Sequence, residues 1–505
     1  MSKVYLTKSK YVDYMECNNR GWLDMNRKSE KIEEDLSENV YVQGGIEAGI
    51  LARNLFGPFT LIDCNNGESI DDLVNRTRDA INNDYNVICE ATFKYNNNIC
   101  QVDILVKNDE DTYSIYEVKG TTNPYADSRR TKLDSKYIND ISYQYYVLTK
   151  SGINVSNCYI VYLNNTYVYN GIYNLEHLYE IDEVTNLILE EYPNVESNIN
   201  LILECMNQLE EPNITFTSKT CKECPYNKHC YKLKEVPEEK SVLGLYNDRK
   251  KYDYLNMDIK SFEDLVNNKI KLSVFNERMV DFRLNNKEPF INKIELKYFL
   301  NQFKYPLYFF DFETYQCAIP KIEGSRPYQQ IPFQYSLHIM YEDGRLEHKE
   351  YLASNYDEPR LDLINQMLND LGDSGTIIAY NDSFEKSRIS ELARDFEQYY
   401  EPLMNLLDRF MDLEDVFKYG YYYQKEISRT SIKDVLPSLF PSDPSLDYHN
   451  LEDVHKGDEA SKAFLMLPSL NEDNRNRLRE SLLKYCCLDT FAMVKIYQFL
   501  FDVLK

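Results

Sequence analysis

The sequence contains no apolar run of about 18 or more residues, the length a membrane-spanning helix needs. Its opening stretch, MSKVYLTKSKYVDYMEC, also lacks the apolar centre of a secretory signal. A cytoplasmic protein with no membrane partner is the expectation. No Gly-rich phosphate loop ending in Lys-Ser or Lys-Thr is present, so any ATP-driven unwinding would have to come from a partner. Positive charge is scarce as well: the formal net charge is −25. A generally basic, phosphate-binding surface is thereby excluded. Nucleic acid would have to be met through bound cations and local groups such as Arg129, Arg130 and Lys132, or Arg475, Arg477 and Arg479, which equally read as solvated faces. Internal repeats and low-complexity tracts are absent.

What is present is a chain of 505 residues, 43% hydrophobic, too long for one ordinary core. The stretch Val102–Val106 and the stretch Ser114–Lys119 both alternate apolar residues at period two, and residues 108–111 between them are turn material. They read as adjacent antiparallel strands. Glu117 and Lys119 are two apart and share a face. With Asp103 on the same side, two carboxylates and an ammonium converge. Hard oxygen ligands that close suit a divalent cation, and the lysine can orient water or stabilise charge developing on a phosphate. The alternative is a hairpin with ordinary charges on its solvent face.

Two neighbours extend the pattern. Val87–Phe93 makes a third strand that can bring Glu90 near Asp103, and Asp140–Leu148 reads as an apolar helix carrying Gln144. Together these segments resemble the RecB-like branch of the PD-(D/E)XK nucleases, over about the first 235 residues. The resemblance implies a restriction-endonuclease-like core in which Glu90, Asp103 and Glu117 hold Mg²⁺ or Mn²⁺ while Lys119 and Gln144 act in catalysis. Many relatives place a metal-binding His late in a G-x-x-x-H pattern; here Gly45 is followed by Gly49 at that place, with Glu47 as a substitute. The surrounding stretch, residues 44–57, looks like a helix stopped by Gly-Pro.

Twelve cysteines without a secretory signal do not suggest a disulfide framework. Singletons such as Cys64, Cys158 and Cys205 read as small core residues. Cys221, Cys224 and Cys230 differ, forming C-x2-C-x5-C in a polar segment, the spacing of a soft-metal or cluster site. A fourth ligand is needed, and Cys17, which follows Ser9-Lys10-Tyr11 and precedes Arg20 and Leu23 at spacings compatible with one helix, can supply it. An N-terminal Cys and a late C-x2-C-x5-C bracketing such a core resemble the iron–sulfur members of the family, AddB and CRISPR-adaptation exonucleases among them. The resemblance implies a [4Fe–4S] cluster on Cys17, Cys221, Cys224 and Cys230 that ties the domain's ends together. A zinc site using His229 is the competing reading.

Residues 236–300 are polar and helical in pattern and read as a connector. After them an apolar strand, residues 305–314, ends in D-x-E, so Asp311 and Glu313 share a face where like charges would repel without a cation. Residues 333–339 and 376–380 make further strands, the latter leading through Asn381 and Asp382 to Glu385. In a long amphipathic helix Tyr485 and Asp489 are four apart and share a face. This order resembles the DEDD exonucleases of the RNase H-like fold, tyrosine variant, since the histidine variant would need His where Lys484 stands. By that resemblance Asp311, Glu313, Glu385 and Asp489 hold metal ions and Tyr485 orients water, with Asp382 as a rival for the third acid.

The expected architecture is therefore α/β throughout: a PD-(D/E)XK core with a cysteine cluster over 1–235, a helical connector over 236–300, and an RNase H-like mixed sheet with helices over 301–505. The expected function is a metal-dependent, exonucleolytic DNA nuclease with two active sites, in repair or defence against foreign DNA, with a helicase or defence-system partner. RNA 3′–5′ exonuclease activity of the C-terminal domain, and a nucleic-acid-binding scaffold with degenerate sites, are the alternatives.

Overall fold

The computed structural model describes residues 5–32, 39–64, 67–108 and 111–505. The chain divides into two compact units, residues 1–235 with 317–328 and residues 236–316 with 329–505. Both are mixed α/β, and among the described residues no helix is long and apolar enough to cross a membrane. Two boundaries differ from those read in the sequence. Residues 317–328 belong to the first unit, where Ala318 and Ile319 join a core containing Ala48, Ala52, Cys89 and Ile104. Residues 236–300 are largely helical as their pattern suggests, but they are part of the second unit.

In the first unit the strands are β1 (Leu6–Thr7), β2 (Thr60–Leu61), β3 (Val87–Tyr95), β4 (Asn98–Lys107), β5 (Tyr113–Lys119), β6 (Val155–Leu163) and β7 (Tyr179–Glu183). They run in the order β2-β3-β4-β5-β6-β7, with β1 joined to β4. The meander β3-β4-β5 is antiparallel, as its alternation predicts; Asp109 and Glu110 of its second turn lie outside the described residues. The crossover from β5 to the parallel β6 is the helix Ser135–Lys150, started by Asp134, whose side chain accepts from Lys136 N at 3.0 Å.

Strict alternation fails where the site will be. Val102 and Leu105, three apart, both join the core that holds Ile141 and Val147 of that helix, so β4 changes face between them. The β4–β5 register, ending at Ile104 opposite Tyr116, would next set Asp103 opposite Glu117, but Asp103 Oδ2 instead accepts from Val118 N at 2.8 Å. Near this fork β1 pairs in parallel with the start of β4, Leu6 opposite Asn98 and Thr7 opposite Ile99.

The N-terminal segment is not one helix. It breaks at Cys17 into Lys8–Glu16 and Asn18–Asn26, because Cys17 is extended (φ −160°) and serves both helices. Its N–H closes the first, on Asp13 O, and its sulfur accepts from Arg20 N at 3.5 Å to cap the second. The Gly-rich helix spans Val40–Ala52 and ends before Gly57-Pro58.

The second unit carries β8 (Phe290–Ile291), β9 (Leu307–Tyr315), β10 (Ile331–Met340), β11 (Leu346–Leu352), β12 (Thr376–Ala379), β13 (Phe410–Asp412) and β14 (Tyr422–Tyr423). Its main sheet has the order β11-β10-β9-β12-β13, while β8 pairs with β14. Central β9 is antiparallel to β10 and parallel to β12. Phe310 and Phe312 of β9 face a core with Leu363, Ile377 and Ile389, leaving Asp311 and Glu313 on the opposite side. That side receives the helix Glu472–Asp502, which contacts both β9 and β10.

Candidate functional site

In the first unit Glu117 is buried and ringed by donors. Lys8 Nζ lies 2.9 and 3.1 Å from its two carboxylate oxygens, Lys119 Nζ donates to Oε1 at 2.6 Å, and Gln144 Nε2 donates to Oε2 at 2.7 Å. Lys119 and Gln144 also reach Asp140, at 2.8 and 2.9 Å. Burial would raise Glu117, but the ammoniums of Lys119 and Lys8 outweigh it and hold the carboxyl well below its usual range. Asp103, half-buried beside Glu117, is pushed up to about 7 by loss of solvent and by the Glu117 charge.

Four of the five residues expected here, Asp103, Glu117, Lys119 and Gln144, thus meet around one point, while Glu90 is drawn aside. Although the register sets Glu90 opposite Asp103, Glu90 has φ +59°, and its carboxylate takes an ion pair at 2.7 Å from Arg53, just past the Gly-rich helix. Glu47 pairs with Lys321 at 3.2 Å and is no substitute ligand. Gly45 has a packing reason: a Cβ on Gly120, directly after Lys119, would stand 2.5 Å from Gly45 Cα, so two glycines let helix and strand touch. A Cβ on Gly49 would meet open space. Lys8 and Asp140 are the members that sequence reasoning missed.

Cys17, Cys221, Cys224 and Cys230 line one cavity, and all are free thiols. Burial raises the Cys17, Cys224 and Cys230 thiols, Cys230 to about 12, and neighbouring thiolates add to the effect. Nitrogen donors point at three of the sulfurs: Arg20 N at Cys17 (3.5 Å), Thr217 N at Cys221 (3.3 Å) and Asn19 Nδ2 at Cys230 (3.5 Å). His229 is not among the lining residues; its ring meets Glu211 at 3.0 Å. The described groups whose ligand atoms all lie within 4.8 Å of one another do not include these cysteines. Tetrahedral zinc, with Zn–S of about 2.3 Å, would draw four sulfurs to about 3.8 Å. No three of these free sulfurs stand that close together, and what the four supply is an all-thiol donor set suited to a soft metal group. Of the singletons, Cys158 is buried as expected and Cys205 partly so, but Cys64 is exposed.

The second unit brings Asp311 and Glu313 of β9, Glu385 of the helix Ser383–Asp395, and Asp489 of the helix Glu472–Asp502 into one acidic site. Burial pushes Asp311 far up, and the charges of Asp489, Glu385 and Glu313 push it further. Burial and Asp489 do the same to Glu313. Glu385 rises to about 8, chiefly by burial, and its Oε2 is buried without a hydrogen-bond partner. Its rival Asp382 is engaged 2.5 Å from Lys386. Burial raises Asp489 to about 6, the rise limited by Tyr448 Oη, which donates to Oδ1 at 2.6 Å, and by Lys433. Lys433 Nζ also donates to Tyr485 Oη at 3.1 Å. Tyr448 and Lys433 had no recognisable role in the sequence.

Residues 308–431 match the family described as a domain of unknown function (DUF2779). The chain is also 30% identical over 267 residues to the uncharacterized protein MG366 of Mycoplasma genitalium, covering 49% of this chain and 39% of that protein. Its homolog in Mycoplasma pneumoniae is 28% identical over 213 residues, 38% of this chain and 32% of that protein. The chain thus spans about two fifths or less of the curated relatives it matches.

The acidic site fits divalent cations by its chemistry: clustered buried oxygens, one of them orphaned, with Lys433 as the cation acting on Asp311, Glu313 and Asp489. A second cluster, His338, His348 and Cys487, was not foreseen; its two imidazoles face each other across β10 and β11, and the hydroxyls of Thr490 and Ser336 already hold one nitrogen of each ring. The arginines considered as phosphate contacts are largely spent internally, Arg130 on Glu180, Arg477 on Asp453, and Arg475 and Arg479 on backbone carbonyls.

A pH prediction follows from Glu385 and Asp489. Their folded values, about 8 and about 6, exceed the unfolded carboxyl value of about 4. Between about pH 4 and pH 8 the folded state therefore holds protons that the unfolded state has released, and stability falls as pH rises. Without divalent metal the Tm should drop from about pH 5 to pH 8. Mn²⁺ should restore it, and Glu385→Gln should flatten part of the slope. A melting series in which Glu385→Gln and Mn²⁺ leave the pH slope unchanged would contradict the assignment.

Proposed function

We propose that this protein is a metal-dependent nuclease that hydrolyses phosphodiester bonds, with DNA as substrate, at the acidic site of its second unit. The observation carrying the reading is that Glu313, Glu385 and Asp489 are buried beside a half-buried Asp311, four carboxyls from three separate elements with Lys433 as the cation acting on three of them. Buried carboxylates so placed weaken a fold unless a cation is part of it. A mixed sheet with the D-x-E pair on its central strand, and a helix bearing Tyr485 and Asp489 across it, supports an RNase H-like exonuclease domain of the tyrosine DEDD type. The meander with Glu117, Lys119 and Gln144 around one point supports a RecB-like PD-(D/E)XK core in the first unit, and the four-cysteine cavity supports a [4Fe–4S] cluster there. Repair of DNA or defence against foreign DNA, with a helicase or defence-system partner, is the setting these parts suit.

Mg²⁺ or Mn²⁺ bound at the acidic site would polarise the phosphate and lower the pKa of a bound water. Asp311, Glu313, Glu385 and Asp489 would hold it. Tyr485, its hydroxyl fixed by Lys433, orients the attacking water, and Tyr448 keeps Asp489 in place. Lys119 belongs to the other unit, so the two sites should fail independently. On 5′-labelled single-stranded DNA with Mn²⁺, Lys119→Ala is expected to shorten substrate from its 3′ end at the parental rate. Loss of all cleavage in Lys119→Ala would move the chemistry to the first unit.

A further inference from the structure

Lys8 is set into the first-unit site by several fixed contacts. Directly before it, Leu6 and Thr7 pair with β4 at Asn98 and Ile99, Tyr143 Oη donates to Leu6 O at 2.5 Å, and the Thr7 side chain caps the helix that Lys8 begins. Its Nζ stands 2.9 Å from Glu117 Oε1, 3.7 Å from Asp140 Oδ1 and 3.9 Å from Asp103 Oδ1. The resemblance implies a divalent cation between Asp103 and Glu117, yet the residues present do not fit one as they stand. Both Glu117 oxygens are engaged, Oε1 by Lys8 and Lys119 and Oε2 by Lys8 and Gln144, and Asp103 Oδ2 is spent on Val118 N. An ion on Glu117 would have to compete with the Lys8 ammonium, which already lies within hydrogen-bond distance of both carboxylate oxygens. With Glu90 held by Arg53 and glycine at position 49, neither of these positions supplies a ligand.

We propose that Lys8 is a built-in cation: its ammonium occupies the metal seat between Asp103 and Glu117, so the first unit's site takes no divalent metal while the Lys8 segment is in place. The proposal rests on the PD-(D/E)XK reading of this unit and specifies its cation. Two buried carboxylates, Glu117 and Asp140, and the half-buried Asp103 face two ammoniums, Lys8 and Lys119, and removal of Lys8 leaves a charge deficit that a metal could fill. A lysine is a compact point charge, suited to stand in for an ion as a planar guanidinium is not.

The test is Mn²⁺ stoichiometry of the full-length protein, read by electron paramagnetic resonance of the unbound ion. Lys8→Ala is expected to bind about one more equivalent than the parent, a gain abolished in Lys8→Ala/Glu117→Gln. Glu117→Gln alone should leave the parental count unchanged. A folded Lys8→Ala with no added equivalent overturns the proposal. So does a parental count that falls on Glu117→Gln, and this arm decides the matter even if Lys8→Ala does not fold. The acidic site of the second unit is counted separately through Asp311→Asn; absence of any Asp311-dependent Mn²⁺ would sink the nuclease reading of that unit without touching the role of Lys8.

Discussion

Asp311→Asn is expected to remove essentially all exonuclease activity, whereas Tyr485→Phe should remain measurably active. The two substitutions lie in one site but act on different links. Asp311 is half-buried within the acidic cluster, on the middle strand of the sheet, and an amide there removes both a negative charge and a ligand oxygen. Tyr485 has its hydroxyl tied to Lys433 at 3.1 Å, so it can position water but contributes no charge. Loss of an orienting or acid–base group typically costs about 10²–10⁴-fold in rate. Tyr485→Phe should accordingly bind Mn²⁺ like the parent and cleave slowly, and Asp311→Asn should do neither. Parental rates for both variants would show that the cluster is structural.

The second large effect is expected at Cys221→Ser. Protein purified without oxygen should be brown, and this substitution should cost colour and solubility together. The four thiols come from residue 17 and from residues 221–230, so a group bound by all of them staples the ends of the first unit across more than 200 residues of chain. Nearby, Trp22, Leu23 and Tyr226 form only a small core. Without the staple that core must hold the last segment alone, so its loss should expose apolar surface. Cys64→Ser, at an exposed thiol away from the cavity, should stay coloured and soluble. A colourless parental preparation carrying stoichiometric zinc would defeat the cluster assignment.

Much of both constellations could be read from local spacing. Glu117 and Lys119, or Asp311 and Glu313, share a strand face because they are two apart; Tyr485 and Asp489 share a helix face because they are four apart. The C-x2-C-x5-C run advertised itself in the same way. What could not be read depends on departures from regular geometry or on distant pairing. Glu90 sits in the right row of the sheet, but its left-handed backbone and Arg53 take it out of the site. Cys17 reaches the cavity at a break between two helices that the spacing had joined into one. Lys8 enters through a two-residue strand at the fork of β4 and β5, 109 positions from Glu117, where neither period nor motif marks it. Lys433 and Tyr448 are likewise brought in by tertiary packing alone.

The most direct test of the central claim is digestion of end-labelled single- and double-stranded DNA and RNA by purified protein with Mg²⁺, Mn²⁺ or a chelator. The account predicts metal-dependent release of mononucleotides from DNA 3′ ends, absent with chelator and absent in Asp311→Asn. Failure of the parental protein to shorten any of these substrates with either metal, or shortening that persists in Asp311→Asn, would contradict it.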